Sequence, residues 1–471
     1  MRYETVIGLE VHIELATKTK IFCPCTTEFG GAPNTHVCPV CLGLPGTLPV
    51  LNGEVVRLAV RAGLAANCEI TRLNRFDRKN YFYPDLPKAY QISQLYLPIC
   101  RSGFIDIGEK RVRIKEIHME EDAGKLIHDP CGSSTLVDYN RCGVPLLEIV
   151  SEPDMRSAQE AVDYLEKLRE LMQFAGVSDC KMQEGSLRAD VNVSVRQIGS
   201  EELGVRTEMK NLNSFKAVAR AVRSESERQI SLLERGERVV QQTRRWDDAA
   251  GKSCAMRSKE DASDYKYFPE PDLPPVLISD ADIERARAEM PELPQAKRCR
   301  YRELGLKSAD IDLLMSSVRI SELFDRTFAV CGSARDAAAW INVELPALLR
   351  DRGKTAEEID PEPDAPGRLI NMILSGKISR ATAKKVFAKI IFERVDPEKY
   401  VEEHGLGLLT DDEAIREAAR KVTAENEKSV SQYRSGKTQA FQFIMGQCMR
   451  ELGGKAPADA VSRALHELLD G

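Results

Sequence analysis

Residues 5 to 15 alternate without a break. Ile7, Leu9, Val11, Ile13 and Leu15 fall on one side of an extended chain, and Gly8, Glu10, His12 and Glu14 on the other. That period of two makes the stretch a strand with one face in a core and one face polar. Glu10 and His12 share the polar face, their Cα atoms about 7 Å apart at a strand rise of ~3.3 Å per residue. One cation could bridge them. The alternation recurs at 186 to 196, where Leu187, Ala189, Val191, Val193 and Val195 turn inward. Ser186, Arg188, Asp190, Asn192, Ser194 and Arg196 turn outward. At 205 to 210, Arg206, Glu208 and Lys210 share a face. An antiparallel sheet can leave one face wet, but a solvated face favours Thr, Ser and Lys. This mixture of acids, bases and amides reads as a ligand-binding cradle, with Arg188, Asp190, Arg206, Glu208 and Lys210 as candidate nucleotide contacts.

Two further groups of carboxylates stand in the chain. Glu120, Glu121 and Asp122 follow His118 and end near Gly124, and Glu148 interrupts the apolar run from Val144 to Val150. A charge within such a strand is expensive to desolvate unless a cation or donor meets it. Gathered carboxylates suit a hard divalent cation, typically magnesium carrying a nucleotide's phosphates.

Cys23 and Cys25, then Cys38-Pro-Val-Cys41, form two closely spaced pairs. Four thiolates so arranged are the pattern of a closed, structural zinc site, with His36 as a possible substitute ligand. Beyond a helical period at 51 to 66 comes a loop rich in aromatics and proline, 76 to 94, that contains Lys79 and Lys88. It is either a packed aromatic turn or the lining of a polar passage or pocket.

A helix is expected at 158 to 175, and strand-like, proline-stiffened segments at 241 to 275. From Pro291 the pattern turns helical, at 297–304, 309–318, 320–330 and 337–345, then 368–374 and 380–392. Residues 353–367 and 402–410 read as linkers. The expected class is therefore α+β, with an antiparallel-sheet domain first and helices after it. Between Lys428 and Lys455 the tail carries Lys428, Arg434, Lys437, Arg450 and Lys455 against one acid, Glu451. With a net charge of −6, the surface as a whole does not attract nucleic acid, so RNA contact needs such a local patch. No run reaches the ~20 apolar residues of a membrane span, and thirteen scattered cysteines form no disulfide framework. A cytoplasmic setting is expected. Gly436-Lys-Thr438 and Gly251-Lys-Ser253 lack the earlier glycine of a Walker A loop. Gly132-Ser-Ser134 is too short to support a serine amidase, and there is no nucleophile elbow.

Five stretches in this order carry a resemblance: Glu-Thr-Val-Ile-Gly-Leu-Glu-Val-His at 4–12, Asp-Arg-Lys-Asn-Tyr-Phe-Tyr-Pro-Asp at 77–85, His-Met-Glu-Glu-Asp-Ala-Gly-Lys at 118–125, Glu-Gly-Ser-Leu-Arg-Ala-Asp-Val-Asn at 184–192 and Lys-Asn-Leu-Asn-Ser at 210–214. Over essentially its whole length the chain resembles the B subunit of the glutamyl/aspartyl-tRNA amidotransferase. The resemblance implies a cradle domain at 1–292, a helical domain at 293–405 and a tRNA-binding tail at 406–471. It implies phosphorylation by ATP of the side-chain carboxylate of mischarged Glu- or Asp-tRNA, then displacement of phosphate by ammonia. Carried over, Glu10, His12, Glu121 and Glu148 match magnesium-holding positions, and Lys79 and Lys88 match a polar ammonia route. The partners implied are an amidase A subunit and a small C subunit. The competing reading is a zinc-stabilised, non-catalytic tRNA-binding module.

Overall fold

The computed structural model describes residues 3–129, 132, 134–256, 265–408, 412–453 and 456–470. Ser133, Asp264, Thr410 and Lys455, which figure in the sequence motifs above, lie outside them. The chain divides into two compact units, Met1–Pro294 and Gln295–Gly471. The first is built on sheet and the second, among the described residues, on helices alone, so the class is α+β.

The first unit is organised on a nine-stranded sheet. From edge to edge its strands are Lys252–Ala255, Gln242–Asp247, Thr207–Lys210, Leu187–Gln197, Tyr3–Glu14, Pro145–Ser151, Lys110–Glu121, Cys100–Ile107 and Glu69–Ile70. Neighbouring strands run antiparallel except Thr207–Lys210 with Gln242–Asp247, which are parallel. The strand that the alternation marked most clearly sits at the centre. Tyr3–Glu14 pairs with Pro145–Ser151 on one side and Leu187–Gln197 on the other. Its inward residues Ile7, Leu9, Val11 and Ile13 are essentially inaccessible, each burial worth about 1.5–3 kcal/mol.

Helices Gly53–Ala65, Ala158–Phe174 and Phe215–Glu234 supply the other half of that core through Leu58, Leu165, Leu168 and Val218. Each begins at a side chain that accepts an otherwise orphaned backbone N–H: Asn52, Ser157 and Ser214. With one face covered, the other face of the sheet is left for polar groups. A small sheet of Asp77–Asn80, Tyr90–Ser93 and Phe268–Pro269 lies beside the end of Lys110–Glu121.

In the second unit, helices Pro294–Glu303, Val318–Cys331, Ala365–Leu374 and Arg380–Glu393 correspond to expected ones, and the one expected at 309–318 is shorter, Ser308–Leu314. The expected helix at 337–345 instead begins at Ala334 and passes through a π turn, Trp340–Glu344, before Leu345–Arg352. Trp340 there packs edge-on against Phe387 at 5.1 Å. The stretch 353–367 is not an open linker. Ala356 and Ile359 are buried, and a helix begins at Ala365. Gly367 serves close packing there, since a Cβ on it would lie 2.5 Å from Cβ of Val330. The tail helices Asp412–Glu425, Glu427–Arg434, Gln439–Glu451 and Ala458–Leu469 surround a core of their own, with Ile415, Val422, Ile444, Val461 and Leu465.

Candidate functional site

The register of the central strands assembles a cluster on the polar face. His12 stands opposite Glu148 across one strand pair, and Glu148 stands opposite His118 across the next. Glu120, two residues past His118, shares that face, and its Oε1 lies 3.4 Å from Nε2 of His12. One ligand atom from each of His12, Glu120 and Glu148 falls within 4.8 Å of the others. Glu120 is 3% exposed and His12 23%.

Two carboxylates so close, Glu120 buried and Glu148 half-buried, need positive charge. Burial opposes a charge on His12, but its contact with Glu120, with the field of Glu148, raises it to about 9. Burial pushes Glu120 up, but His12, Lys79 and His118 together hold it well below the usual carboxylate range. Burial and the neighbouring Glu120 push Glu148 up. Burial lowers Lys79, yet the fields of Glu120 and Glu148 carry it above its ordinary value. A proton on His12 thus stands where a divalent cation would neutralise both acids. Carboxylate oxygens suit magnesium, while the imidazole also suits manganese.

The remaining sequence candidates lie around this cluster. Glu10 accepts a hydrogen bond from Nδ2 of Asn192 at 2.9 Å. Lys210 bonds Asp190 at 2.5 Å and Glu208 at 2.8 Å, and Glu208 also accepts from Thr243. Arg188 grips Asp122 with both terminal nitrogens, at 2.6 and 3.3 Å. Beside that pair, burial and the charge of Asp122 raise Glu14 to about 7. Arg206 lies just outside its strand and is exposed, because Thr207 is the first paired residue.

Adjacent strand residues point to opposite faces, which separates Glu121 from Glu120. Glu121 is joined to the Lys88 ammonium and accepts from the Ile92 amide at 2.9 Å. Lys88 and Glu121 border a cavity of about 100 Å³ lined also by Cys23, Cys41, Leu44 and Tyr90. Glu120 stood in the acid triplet, but the resemblance pointed to Glu121 as the metal-holding residue. The signal was there, since counting outward from Ile117 and Met119 puts His118 and Glu120 on one face.

Beyond that cavity the four thiols of Cys23, Cys25, Cys38 and Cys41 come within 4.8 Å of one another. The Cys38 amide donates to Sγ of Cys41 at 3.2 Å. Lys20, fully buried, reaches the same sulfur at 3.7 Å and the carbonyl of His36 at 2.7 Å. A thiol hydrogen bond from Cys23, helped by Lys20, holds Cys41 down to about 5. Four sulfurs and a buried ammonium fit a thiolate-bound metal such as zinc. The His36 imidazole is not in the set; its ring packs over Gly31.

In the tail, Lys428, Arg434, Lys437 and Arg450 are exposed. Glu451 is taken up by Lys421 at 2.6 Å.

The family model described as the GatB/GatE catalytic domain matches residues 5–284, and that of the GatB domain matches 322–469. The chain is 56% identical to the aspartyl/glutamyl-tRNA(Asn/Gln) amidotransferase B subunit of Lachnoclostridium phytofermentans, over 99% of each chain. The chain belongs to the amidotransferase B subunit family. Other B subunits are similarly close, that of Agathobacter rectalis at 54% over 99% of each chain. The B subunit of Thermoanaerobacter pseudethanolicus is 52% identical over the full length of both. The first of the two domains matched takes in the His12–Glu120–Glu148 cluster and the thiol set. No helix among the described residues is long and apolar enough to cross a membrane.

Proposed function

We propose that this chain is the transamidating member of a cytoplasmic complex that acts on mischarged Glu-tRNA(Gln), Asp-tRNA(Asn) or both. The side-chain carboxylate of the esterified amino acid attacks the γ-phosphorus of ATP, the bond to the β-phosphate oxygen breaks, and ADP leaves. Ammonia then attacks the acyl carbon, phosphate departs, and a proton is lost, leaving the amide. The observation that carries this reading is the convergence of His12, Glu120 and Glu148 beside Lys79, on a face lined by Glu10, Asp190, Glu208 and Lys210. In-line phosphoryl transfer asks mainly for positioning and for neutralisation of the phosphoryl oxygens, and it needs no P-loop.

Magnesium, or manganese in its place, would be held by His12, Glu120 and Glu148 with Glu10 nearby, and it supplies charge neutralisation for the nucleotide's phosphates. Arg188, Asp190, Arg206, Glu208 and Lys210 line the nucleotide and aminoacyl side of the same face. Lys88 and Glu121 line the way by which ammonia arrives. Zinc on Cys23, Cys25, Cys38 and Cys41 has a structural part, because four sulfurs leave no open position for chemistry. The domains follow the same division of labour, a cradle at 1–292, a helical domain at 293–405 and a tail at 406–471 that meets tRNA.

The ammonia comes from a partner amidase, the A subunit, with a small C subunit joining the two. A glutaminase needs an activated nucleophile with its base, and this sequence offers no amidase or nucleophile-elbow signature. The purified chain is therefore expected to amidate mischarged tRNA with ATP and high ammonium chloride but not with glutamine. Glutamine-dependent amidation by the chain alone, free of any co-purifying amidase, overturns the division between subunits. Absence of ATP-dependent amidation with ammonium, both alone and with the partner subunits, overturns the catalytic reading and leaves a tRNA-binding module.

A further inference from the structure

Lys79 is unusual in how its charge is held. Strand Asp77–Asn80 aims its side chain at the polar cluster, and its ammonium feels both Glu120 and Glu148. Yet neither acid lies within ion-pair distance of it, and it has no hydrogen-bond partner among the described residues. What it meets are rings. Its nitrogen lies 5.1 Å from the ring centre of Tyr265 and 5.8 Å from that of Tyr81. Those two rings meet edge to face at 5.8 Å, and Tyr267 meets Tyr265 in the same way at 6.2 Å.

The rings are themselves fixed. The Asn80 amide donates to the Tyr265 carbonyl at 2.9 Å, and its side chain donates to the Lys266 carbonyl at 2.8 Å. Phe268 and Pro269 then pair with Arg78 and Asp77. Segment 265–269 is thereby laid along the strand that carries Lys79. At the other side, the Tyr81 hydroxyl is anchored on Gln91 at 3.2 Å.

A ring face attracts an ammonium electrostatically without taking up its N–H groups as a carboxylate would. A lysine stem is flexible, and left to itself would collapse onto the nearest acid. Such a pair would spend the donors of Lys79 and the charge of Glu120 or Glu148 together. We propose that Tyr265, steadied by Tyr267, is a positioning residue whose ring face holds the Lys79 ammonium beside the His12–Glu120–Glu148 cluster with its donors free for a phosphoryl oxygen. The inference rests on the function proposed above and adds to it residues outside the acid cluster.

The test is a cycle in the full chain assembled with its partner subunits, using Tyr265→Leu, Tyr265→Phe, Lys79→Ala and the Leu/Ala double variant. Tyr265→Leu is expected to lower kcat for ATP-dependent amidation by roughly 5- to 30-fold, the reach of a desolvated cation–ring contact. Tyr265→Phe keeps the ring face and should restore most of that loss. In the Lys79→Ala background the same leucine change should cost less than about twofold, because nothing remains for the ring to hold. A second readout is independent of the reaction: acetylation of Lys79 by acetic anhydride, followed by peptide mass spectrometry. Tyr265→Leu should change that rate about threefold or more against exposed lysines of the same sample, and Tyr265→Phe should not. A leucine effect of equal size with and without Lys79 overturns the proposal. So does an unchanged Lys79 acetylation rate, or a phenylalanine variant as impaired as the leucine one. If the unaltered complex shows no phosphoryl transfer, the functional reading fails, and the acetylation arm alone decides the role of Tyr265.

Discussion

His12 and Glu148 are register partners on adjoining antiparallel strands, which brings an imidazole and a carboxylate together on the one face of the sheet that helices do not cover. Glu120 closes the group from the next strand. Three strands from distant parts of the chain therefore meet at one point, and its chemistry depends on sheet register.

Charge removal should separate the two neighbouring glutamates. Glu120→Gln or Glu148→Gln is expected to lower ATP-dependent amidation at limiting magnesium by about a hundredfold, or ~3 kcal/mol. Raising magnesium or manganese should restore part of it. Glu121→Gln, on the other face, is expected to impair ammonia use more than tRNA-dependent ADP formation. Steady-state ADP release and amide formation, measured together for the three variants, check both statements, and near-normal rates for Glu120→Gln and Glu148→Gln would exclude the cluster.

The acid cluster also sets a pH signature in metal-free protein. His12 has an ordinary value near 6.5 and is raised to about 9 on folding. A group raised on folding adds stability that is complete below the unfolded value and lost as pH climbs through the folded one. The His12 contribution is thus full at pH 6 and gone by about pH 10, amounting at most to on the order of 3 kcal/mol. Denaturant midpoints of wild type and His12→Gln should differ at pH 6 and converge between pH 7 and 10. A constant difference would show that the imidazole acts by packing alone.

Metal at the thiol set should be worth folding energy. Purified protein is expected to hold about one zinc per chain, as a four-sulfur site does. Cys38→Ser or Cys41→Ser should lose it and lower the first melting transition by roughly 5 °C or more. A metal-free protein with unchanged melting would reject the site.

Removal of the residues after 405 should weaken tRNA binding and flatten its salt dependence, because fewer counterions are released when fewer lysines and arginines meet phosphate. ATP hydrolysis without tRNA should be unaffected. Equal tRNA affinity for the full and shortened chains, measured at two or more salt concentrations, would reject a role for the tail.

The central strand was readable because Ile7, Leu9, Val11 and Ile13 must all face one core, and a period of two states that directly. Arg188, Asp190, Glu208 and Lys210 fell on one face for the same reason. The choice between Glu120 and Glu121 was harder, because an acid triplet carries no internal period and only the buried neighbours Ile117 and Met119 fix which way each points. Side-chain pairings were illegible throughout. Asp122 meets Arg188 across 65 intervening residues, and Tyr265 meets Lys79 across 185; no local pattern records such pairs. The packed stretch 353–367 misled for another reason, since Gly and Pro mark loops in general, whereas Gly367 here admits Val330.

The central position of Tyr3–Glu14 has a consequence for the order in which the protein can be made. Its two neighbours follow it by 130 and 172 intervening residues. At ~5–20 residues per second, the strand leaves the ribosome roughly 10 to 35 s before the later neighbour is synthesised. Until Pro145–Ser151 is made, Ile7, Leu9, Val11 and Ile13 have no partner strand and both edges are open to foreign pairing; the edge that meets Leu187–Gln197 stays open through the whole interval. Nascent chains stalled before residue 187 should accordingly be captured by holding chaperones and be sensitive to protease within the first strand. Chains stalled well past residue 260 should be neither.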